Sequence, residues 1–115
     1  MRVITGSVRG ARLSTLEGLE TRPTSERIKE AIFSMIQFEI EGRRMLDLFA
    51  GSGQMGIEAL SRGAASAVFV EGAAPAVAVI RDNLRHVRME QLADVRQEDA
   101  FLFLGRDAGP FDIAF

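Results

Sequence analysis

Apolar residues recur along this chain in two patterns, short continuous runs and repeats at helical spacing. The continuous runs predict four β-strands, the third of them weak, at residues 45–49, 67–70, around Val95 and 111–115. The helical repeats predict four helices, over about residues 25–38, after Gly53, across 77–87 and from 100 to 104. This strict alternation indicates an α/β fold with a doubly wound parallel sheet, right-handed crossovers and the strand order 3-2-1-4.

The first predicted helix is amphipathic, and Thr24 can cap its N-terminus. Its apolar residues recur at positions i, i+3, i+4, i+7 and i+8, and we expect them to form one buried stripe. These residues are Ile28, Ala31, Ile32, Met35 and Ile36. After the second helix, Gly63 is well placed at the C-terminus because glycine adopts the left-handed conformation without a Cβ clash.

Residues 1–20 are interpreted as an N-terminal arm, separated from the rest of the chain by the turn-forming stretch 21–24. Glycines interrupt its short apolar runs, which predicts a hairpin or an extended arm. The arm carries Arg2, Arg9 and Arg12, and no acidic residue occurs before Glu17. Such a segment can contact nucleic acid, but it can equally be a solvated arm.

The composition restricts the classes of function. A chain of 115 residues with 47% apolar content can bury one modest core. It has no cysteine and one histidine, His86, so we expect no disulfide and no metal site. We find no signal peptide and no membrane-spanning run, and we expect a soluble cytoplasmic protein. The net charge of −2 argues against a protein that coats nucleic acid with its whole surface.

Candidate chemistry begins where the first predicted strand runs into a glycine-rich stretch. Asp47 lies near the end of that strand, and Gly51, Ser52 and Gly53 lie in the turn that opens the second helix. Glycine lets the backbone approach a ligand closely, and a helix N-terminus offers free N–H groups. Because the glycines follow a strand and precede a helix, they indicate a nucleotide-type cofactor site.

Acidic residues follow the next two predicted strands. Glu71 ends the second strand, where a carboxylate can accept hydrogen bonds from both hydroxyls of a ribose. Asp99 ends the third, and with the backbone of Ala100 it can bind the amino edge of an adenine. Taken alone, Asp99 is better interpreted as a loop-exposed carboxylate or a helix cap. Three acids at three strand ends suit an adenosine without phosphates.

Two cofactors share these features, NAD and S-adenosylmethionine. Asp47 distinguishes them, because a carboxylate beside the glycine loop attracts the sulfonium and ammonium groups of S-adenosylmethionine. The same charge repels a pyrophosphate. The sequence therefore favours the methyl donor.

Three blocks of the chain resemble the bacterial 16S ribosomal RNA guanine-N2-methyltransferase family (the RsmD family). They are residues 1–10 (Met1-Arg2-Val3-Ile4, Gly6, Arg9-Gly10), residues 21–33 (Thr21-Arg22-Pro23-Thr24, Arg27, Glu30-Ala31, Phe33) and the segment DLFAGSGQMGIEALSRGA. The resemblance implies a Rossmann-like class I methyltransferase fold, of which this chain supplies strands 1 to 4. It also implies that Arg22 and Thr24 lie near the methionine end of the cofactor and that the arm contacts RNA.

The resulting candidate residues form two groups. Those for binding S-adenosylmethionine are Asp47, Phe49, Gly51, Ser52, Gly53, Glu71, Asp99, Ala100, Arg22 and Thr24. Those for binding RNA are Arg9 and Arg12. The resemblance further implies 16S rRNA or the small ribosomal subunit as the partner and a monomeric full-length protein.

The catalytic element of the family is an Asn/Asp-Pro-Pro-Tyr/Phe tetrapeptide after the fourth strand, which we expect just after Phe115. Residues 21–115 would then be the N-terminal part of the methyltransferase domain, with the cofactor site but without the catalytic residues. Two alternatives stay open. One is a non-catalytic domain that binds a cofactor or RNA, and the other is a methyltransferase that acts on another nucleic-acid base.

Overall fold

A computed structural model describes residues 2–15, 23–106 and 110–115, and for residues 23–25 it describes the backbone alone. Four parallel strands form one sheet in the order β3-β2-β1-β4. They are β1 (Arg44–Leu48), β2 (Ser66–Glu71), β3 (Ala93–Gln97) and β4 (Ile113–Ala114). Leu48 pairs with Val70 and Glu71 pairs with Gln97, so the carboxyl ends of the three longer strands meet at one edge. The predicted strand order and parallel pairing are confirmed.

Four α-helices connect and flank these strands. They are α1 (Pro23–Ile36), α2 (Gln54–Ser61), α3 (Ala74–His86) and α4 (Ala100–Leu104), and a short 3₁₀ helix (Glu90–Leu92) precedes β3. Gly63 follows α2 with a φ of +104°, as predicted for a left-handed glycine at a helix C-terminus. In the described part of the chain, no helix is both long and apolar enough to cross a membrane.

The N-terminal arm is a hairpin, one of the two forms predicted. Arg2 and Arg12 form an antiparallel bridge, and the Val3 N–H donates to the Ala11 carbonyl at 2.9 Å. The side chains of Val3 and Leu13 are buried in the main core. This packing fixes residues 2–14, which we call the N-terminal hairpin, against the helices rather than leaving them as a solvated arm.

The prediction for α1 was wrong in two respects. The helix begins at Pro23, whose missing N–H costs nothing in a first turn, so Thr24 lies inside the helix and is not its cap. The predicted stripe is only partly buried: Ile36 packs against the main core, whereas Met35 is 79% exposed and Ile28 is also exposed. Lys29 and Phe33 take the buried side. Lysine can do so because its stem is apolar and its ammonium meets a buried carboxylate.

That carboxylate belongs to Glu58 on α2, which is 0% exposed. It forms ion pairs with Lys29 at 3.1 Å and Arg62 at 2.9 Å, and it accepts the backbone N–H groups of Ile4 and Thr5. Burial lowers the pKa of Lys29, and the charge of Glu58 opposes that shift. Every charge in this cluster has a partner, so the cluster ties the N-terminal hairpin and α1 to α2.

Candidate functional site

The glycine loop, residues 49–53, joins the end of β1 to the start of α2. Its backbone turns through three positive φ angles, at Phe49 (+53°), Gly51 (+61°) and Gly53 (+80°), and the Gly53 N–H closes the turn on the Ala50 carbonyl at 2.8 Å. A Cβ on Gly51 would meet no atom within 4 Å, so this face of the loop is open to a ligand. The sequence prediction of a strand, a glycine turn and a helix is confirmed.

Gly56, one turn into α2, has a different role. A Cβ at this position would lie 2.3 Å from the ring of Phe69 on β2. Glycine therefore allows α2 to pack directly on the sheet, which places the start of the helix beside the strand ends. The three glycines of the motif therefore have different roles: Gly51 leaves the ligand face open, Gly53 closes the turn, and Gly56 allows the packing contact.

Glu71 lies at the end of β2 and spans the gap between two loops. Its Oε1 accepts the Gly51 N–H and its Oε2 accepts the Ala73 N–H, both at 3.0 Å. A carboxylate has further lone pairs, so these two bonds orient the group and leave it able to accept from a ligand. The structure therefore brings Glu71 to the glycine loop, as expected from its position after the second strand.

Asp47 is buried on β1, and its Oδ2 accepts the Gly56 N–H at 3.0 Å. Burial raises the pKa of Asp47 to about 7, the hydrogen bond from Gly56 opposes this, and the charge of Glu71 adds to the rise. The carboxylate therefore occupies the start of α2, where a dinucleotide pyrophosphate would otherwise accept N–H groups. A cationic ligand nearby would favour its ionised form.

Asp99 acts as the N-cap of α4, one of the two roles that the sequence favoured for this residue in isolation. Its Oδ1 accepts the N–H groups of Phe101 and Leu102, at 2.8 and 3.1 Å. It lies two residues beyond β3, at the same sheet edge as Glu71, and Ala100 is buried directly after it. Capping fixes the orientation of the carboxylate beside the other two acids.

Phe49 has an exposed side chain although its backbone is left-handed, a conformation that is uncommon for an aromatic residue. Its ring meets that of Phe101 edge to face, with the centroids 6.1 Å apart. Phe49 follows β1 and Phe101 lies in the first turn of α4, so the two exposed rings lie at the carboxyl edge of the sheet. Strained backbone at such an edge is typical of ligand sites.

The remaining predicted residues are placed unevenly. Arg9 and Arg12 are exposed on the N-terminal hairpin. Arg22 lies outside the described residues, and so does the side chain of Thr24. Sequence reasoning missed the buried Glu58 and Asn83. A charged residue inside an otherwise apolar helix, as in QMGIEALS, was the signal for Glu58.

Comparison with known proteins identifies relatives over the whole chain. The family model described as conserved hypothetical protein 95 matches residues 1–115. "Putative rRNA methyltransferase YlbH" of Bacillus subtilis is 46% identical over 87% of this chain and 54% of its own length. Ribosomal RNA small subunit methyltransferase D of Escherichia coli K12 is 35% identical over 100% of this chain and 58% of its own length. The chain therefore spans somewhat more than half the length of these relatives.

Solved structures agree on the fold. "Putative methyltransferase yhhF" from Escherichia coli superposes with a TM-score of 0.89 at 34% identity, over 99% of this chain and 62% of its own. The O-methyltransferase from Bacillus cereus, solved in complex with SAH, superposes with a TM-score of 0.62 over 83% of this chain and 44% of its own. At 17% identity that second likeness concerns the Rossmann-like fold alone. The chain belongs to the family described as conserved hypothetical protein 95, the RsmD family.

Proposed function

We propose that this chain binds S-adenosylmethionine at the carboxyl edge of its sheet and that the whole protein methylates the exocyclic N2 of a guanine in 16S rRNA. The observation that carries the proposal is the link between Glu71 and the glycine loop, made by the 3.0 Å hydrogen bond from the Gly51 N–H. It holds a ribose-type acceptor beside an open backbone turn. Membership of the RsmD family and the rRNA methyltransferase names of the relatives support the substrate class.

The residues at this edge fit S-adenosylmethionine better than a dinucleotide. Asp47 already accepts the Gly56 N–H at the start of α2, so a phosphate there would meet a carboxylate in place of a free amide. The cofactor supplies an activated methyl group on a cationic sulfonium. In our proposal Gly51, Ser52 and Gly53 line its methionine part, and the Asp47 carboxylate offsets its positive charge.

The adenosine part of the cofactor binds at the carboxyl ends of β2 and β3. Glu71 accepts the ribose hydroxyls through lone pairs that Gly51 and Ala73 leave available. The Asp99 carboxylate accepts a hydrogen bond from the adenine edge, and the backbone of Ala100 donates one to it. The aromatic ring of Phe49 lies beside them. Arg22 and Thr24 stay predictions at the methionine end, because their side chains lie outside the described residues.

The experiment for the cofactor site is calorimetric titration of the whole protein with S-adenosylhomocysteine. Two charge-assisted hydrogen bonds, each worth about 1.5–3 kcal/mol, predict that Glu71→Ala weakens binding at least tenfold, a threshold that corresponds to about 1.4 kcal/mol. Glu98→Ala is the matched control, since Glu98 lies near the same edge and pairs with Arg106 instead. An unchanged dissociation constant for Glu71→Ala would remove Glu71 from the site.

The RNA proposal rests on the exposed arginines of the N-terminal hairpin. Replacing Arg9 and Arg12 with alanine should weaken RNA binding and reduce its salt dependence by about two counterions, while cofactor binding stays unchanged. Replacing Arg81 and Arg88, which lie on α3 and just after it, with alanine is the matched control, because it also removes two positive charges. Equal salt slopes for the hairpin variant and the parent would mean that Arg9 and Arg12 are solvated and do not contact RNA.

The proposed reaction has its own test. When the whole protein is incubated with S-adenosylmethionine and either free 16S rRNA or small ribosomal subunits, mass spectrometry of the nucleosides should detect N2-methylguanosine. Methylation of another base would support methyltransferase activity and contradict the proposed target. No transfer to either substrate by a protein that binds both ligands would favour a non-catalytic binding domain.

A further inference from the structure

Asn83 is a buried amide that touches both candidate binding regions. It lies on α3 and is 2% exposed. Its Oδ1 accepts the Ser14 N–H at 2.7 Å, and its Nδ2 donates to the Ser14 carbonyl and the Ser52 carbonyl, both at 2.9 Å. One side chain therefore joins the end of the N-terminal hairpin to the middle of the glycine loop.

The chemistry of these contacts requires an amide. Asn83 faces one N–H group and two carbonyl oxygens, so the side chain must accept once and donate twice. Asparagine does so with its carbonyl and its NH₂ group, and the partners fix which end points where. An aspartate of the same shape would direct lone pairs at two carbonyls and leave them without a donor.

The start and the end of the N-terminal hairpin are held by different helices. Glu58 and Ser61 of α2 fix the start of the N-terminal hairpin: the Ser61 hydroxyl donates to the Thr5 carbonyl at 2.7 Å and accepts the Val8 N–H at 3.2 Å. Ser14 comes just after Arg12, and it is held by Asn83 of α3. Ser52 directly follows Gly51, where the backbone is open to a ligand. A change in the glycine loop can therefore reach the arginine-bearing hairpin through a single side chain.

We propose that Asn83 is a positioning residue that couples cofactor occupancy of the glycine loop to RNA contact by the N-terminal hairpin. This inference rests on the proposed function, since it needs the cofactor at the loop and RNA at the hairpin. A bound cofactor orders the loop, the loop carbonyl of Ser52 orders the amide, and the amide holds Ser14 in place. The hairpin then loses less freedom when RNA binds, so the two ligands bind cooperatively.

The experiment measures the RNA affinity of the whole protein with and without saturating S-adenosylhomocysteine, and it measures S-adenosylhomocysteine affinity by calorimetry. Typical coupling between sites predicts that S-adenosylhomocysteine raises RNA affinity at least fivefold in the parent. Asn83→Asp should weaken S-adenosylhomocysteine binding and reduce the coupling to less than twofold. Ser14→Pro removes the N–H that Asn83 accepts and leaves every residue of the glycine loop unchanged, so it should leave S-adenosylhomocysteine binding within twofold and still abolish the coupling.

Ser14→Ala is the matched control, because it keeps both backbone hydrogen bonds and should behave as the parent does. Thermal melting checks that each variant folds, and Ser14→Pro keeps the test open if Asn83→Asp does not fold. Unchanged coupling in Ser14→Pro would overturn the role of Asn83. A parent that binds both ligands independently would overturn the coupling and leave the proposed function standing. A parent that binds neither ligand would overturn both.

Discussion

The two faces of the sheet are covered very differently. On the face that carries α1, α2, α3 and the N-terminal hairpin, sixteen buried apolar residues of the described part of the chain form one cluster. On the face that carries α4, the corresponding cluster has four: Leu46, Val70, Ala100 and Phe103. We call these the thick face and the thin face. Alternate residues of each strand point to opposite faces, so the same strands serve both.

Polar groups follow the same division. The thick face buries the charged cluster around Glu58 and the Asn83 amide with their partners satisfied. The thin face has a cavity of about 450 Å³, and its ion pairs, such as Arg96 with Asp94, are exposed. The cavity is lined by Arg44, Val68, Asp94, Arg96, Phe103, Arg106 and Phe111. The comparison teaches that the described chain draws its stability from one face, while the candidate cofactor site occupies the edge between the two.

The strongest test of this difference removes one phenylalanine from each face. Phe69 is fully buried on the thick face, so Phe69→Ala should lower the free energy of unfolding by about 3–5 kcal/mol. Phe103 is also buried but lines the cavity of the thin face, where neighbours can relax, and Phe103→Ala should lower it by about 3 kcal/mol, at the low end of that range. Denaturant unfolding followed by circular dichroism measures both. Equal losses would mean that the faces contribute alike.

A second comparison removes one acid from each face. Glu58→Ala leaves Lys29 and two backbone N–H groups without their acceptor in a buried cluster, and it should cost about 3–5 kcal/mol. Asp94→Ala breaks an exposed pair and should cost no more than about 1 kcal/mol. Hydrogen exchange at Ile4 and Thr5 should accelerate only in Glu58→Ala. Slow exchange there in the variant would show that other contacts hold the N-terminal hairpin.

A third prediction concerns pH, because Asp47 is buried on the thick face with its pKa raised from 3.8 to about 7. The folded state then binds the proton more tightly than the unfolded state. Between about pH 4 and 7 this residue makes the free energy of unfolding fall as pH rises, with a slope of at most about 1.4 kcal/mol per pH unit. Asp47→Asn should remove that slope in melts across the pH range. A parent and variant with parallel profiles would contradict the raised pKa.

Much of the fold could be predicted from the sequence because the strand runs and the glycine punctuation are local signals. The parallel sheet follows from the alternation of strands and helices, and the turn follows from the glycines between β1 and α2. The α1 stripe could not be predicted in this way, because Lys29 is buried only through its pairing with Glu58, 29 residues further along the chain. Periodicity assigns a lysine to solvent, and a partner that distant in sequence leaves no local trace.

The candidate site divides in the same manner. Positions at strand ends, such as Glu71 and Asp99, could be predicted because parallel strands bring their carboxyl ends to one edge. The hydrogen bonds of Glu71 to Gly51 and of Asn83 to Ser14 and Ser52 could not, since they depend on how α3 and the N-terminal hairpin pack. The sequence therefore predicted which acids lie at the edge of the sheet, whereas the hydrogen bonds around them depend on tertiary packing.

The smallest effect on stability is expected at the surface of the thin face. Leu102 and Leu104 on α4 are exposed, and β4 leaves one edge of the sheet without a neighbouring strand among the described residues. A polypeptide of residues 1–115 should therefore self-associate through apolar contact and strand addition. Replacing Leu102 and Leu104 with lysine should change the free energy of unfolding by no more than about 0.5 kcal/mol and reduce association in light scattering. Ile80→Lys on the thick face is the control that should unfold the chain, because its side chain is fully buried. A monomeric parent with a cooperative melt would mean that the β4 edge and the leucines of α4 are protected by contacts that involve other residues.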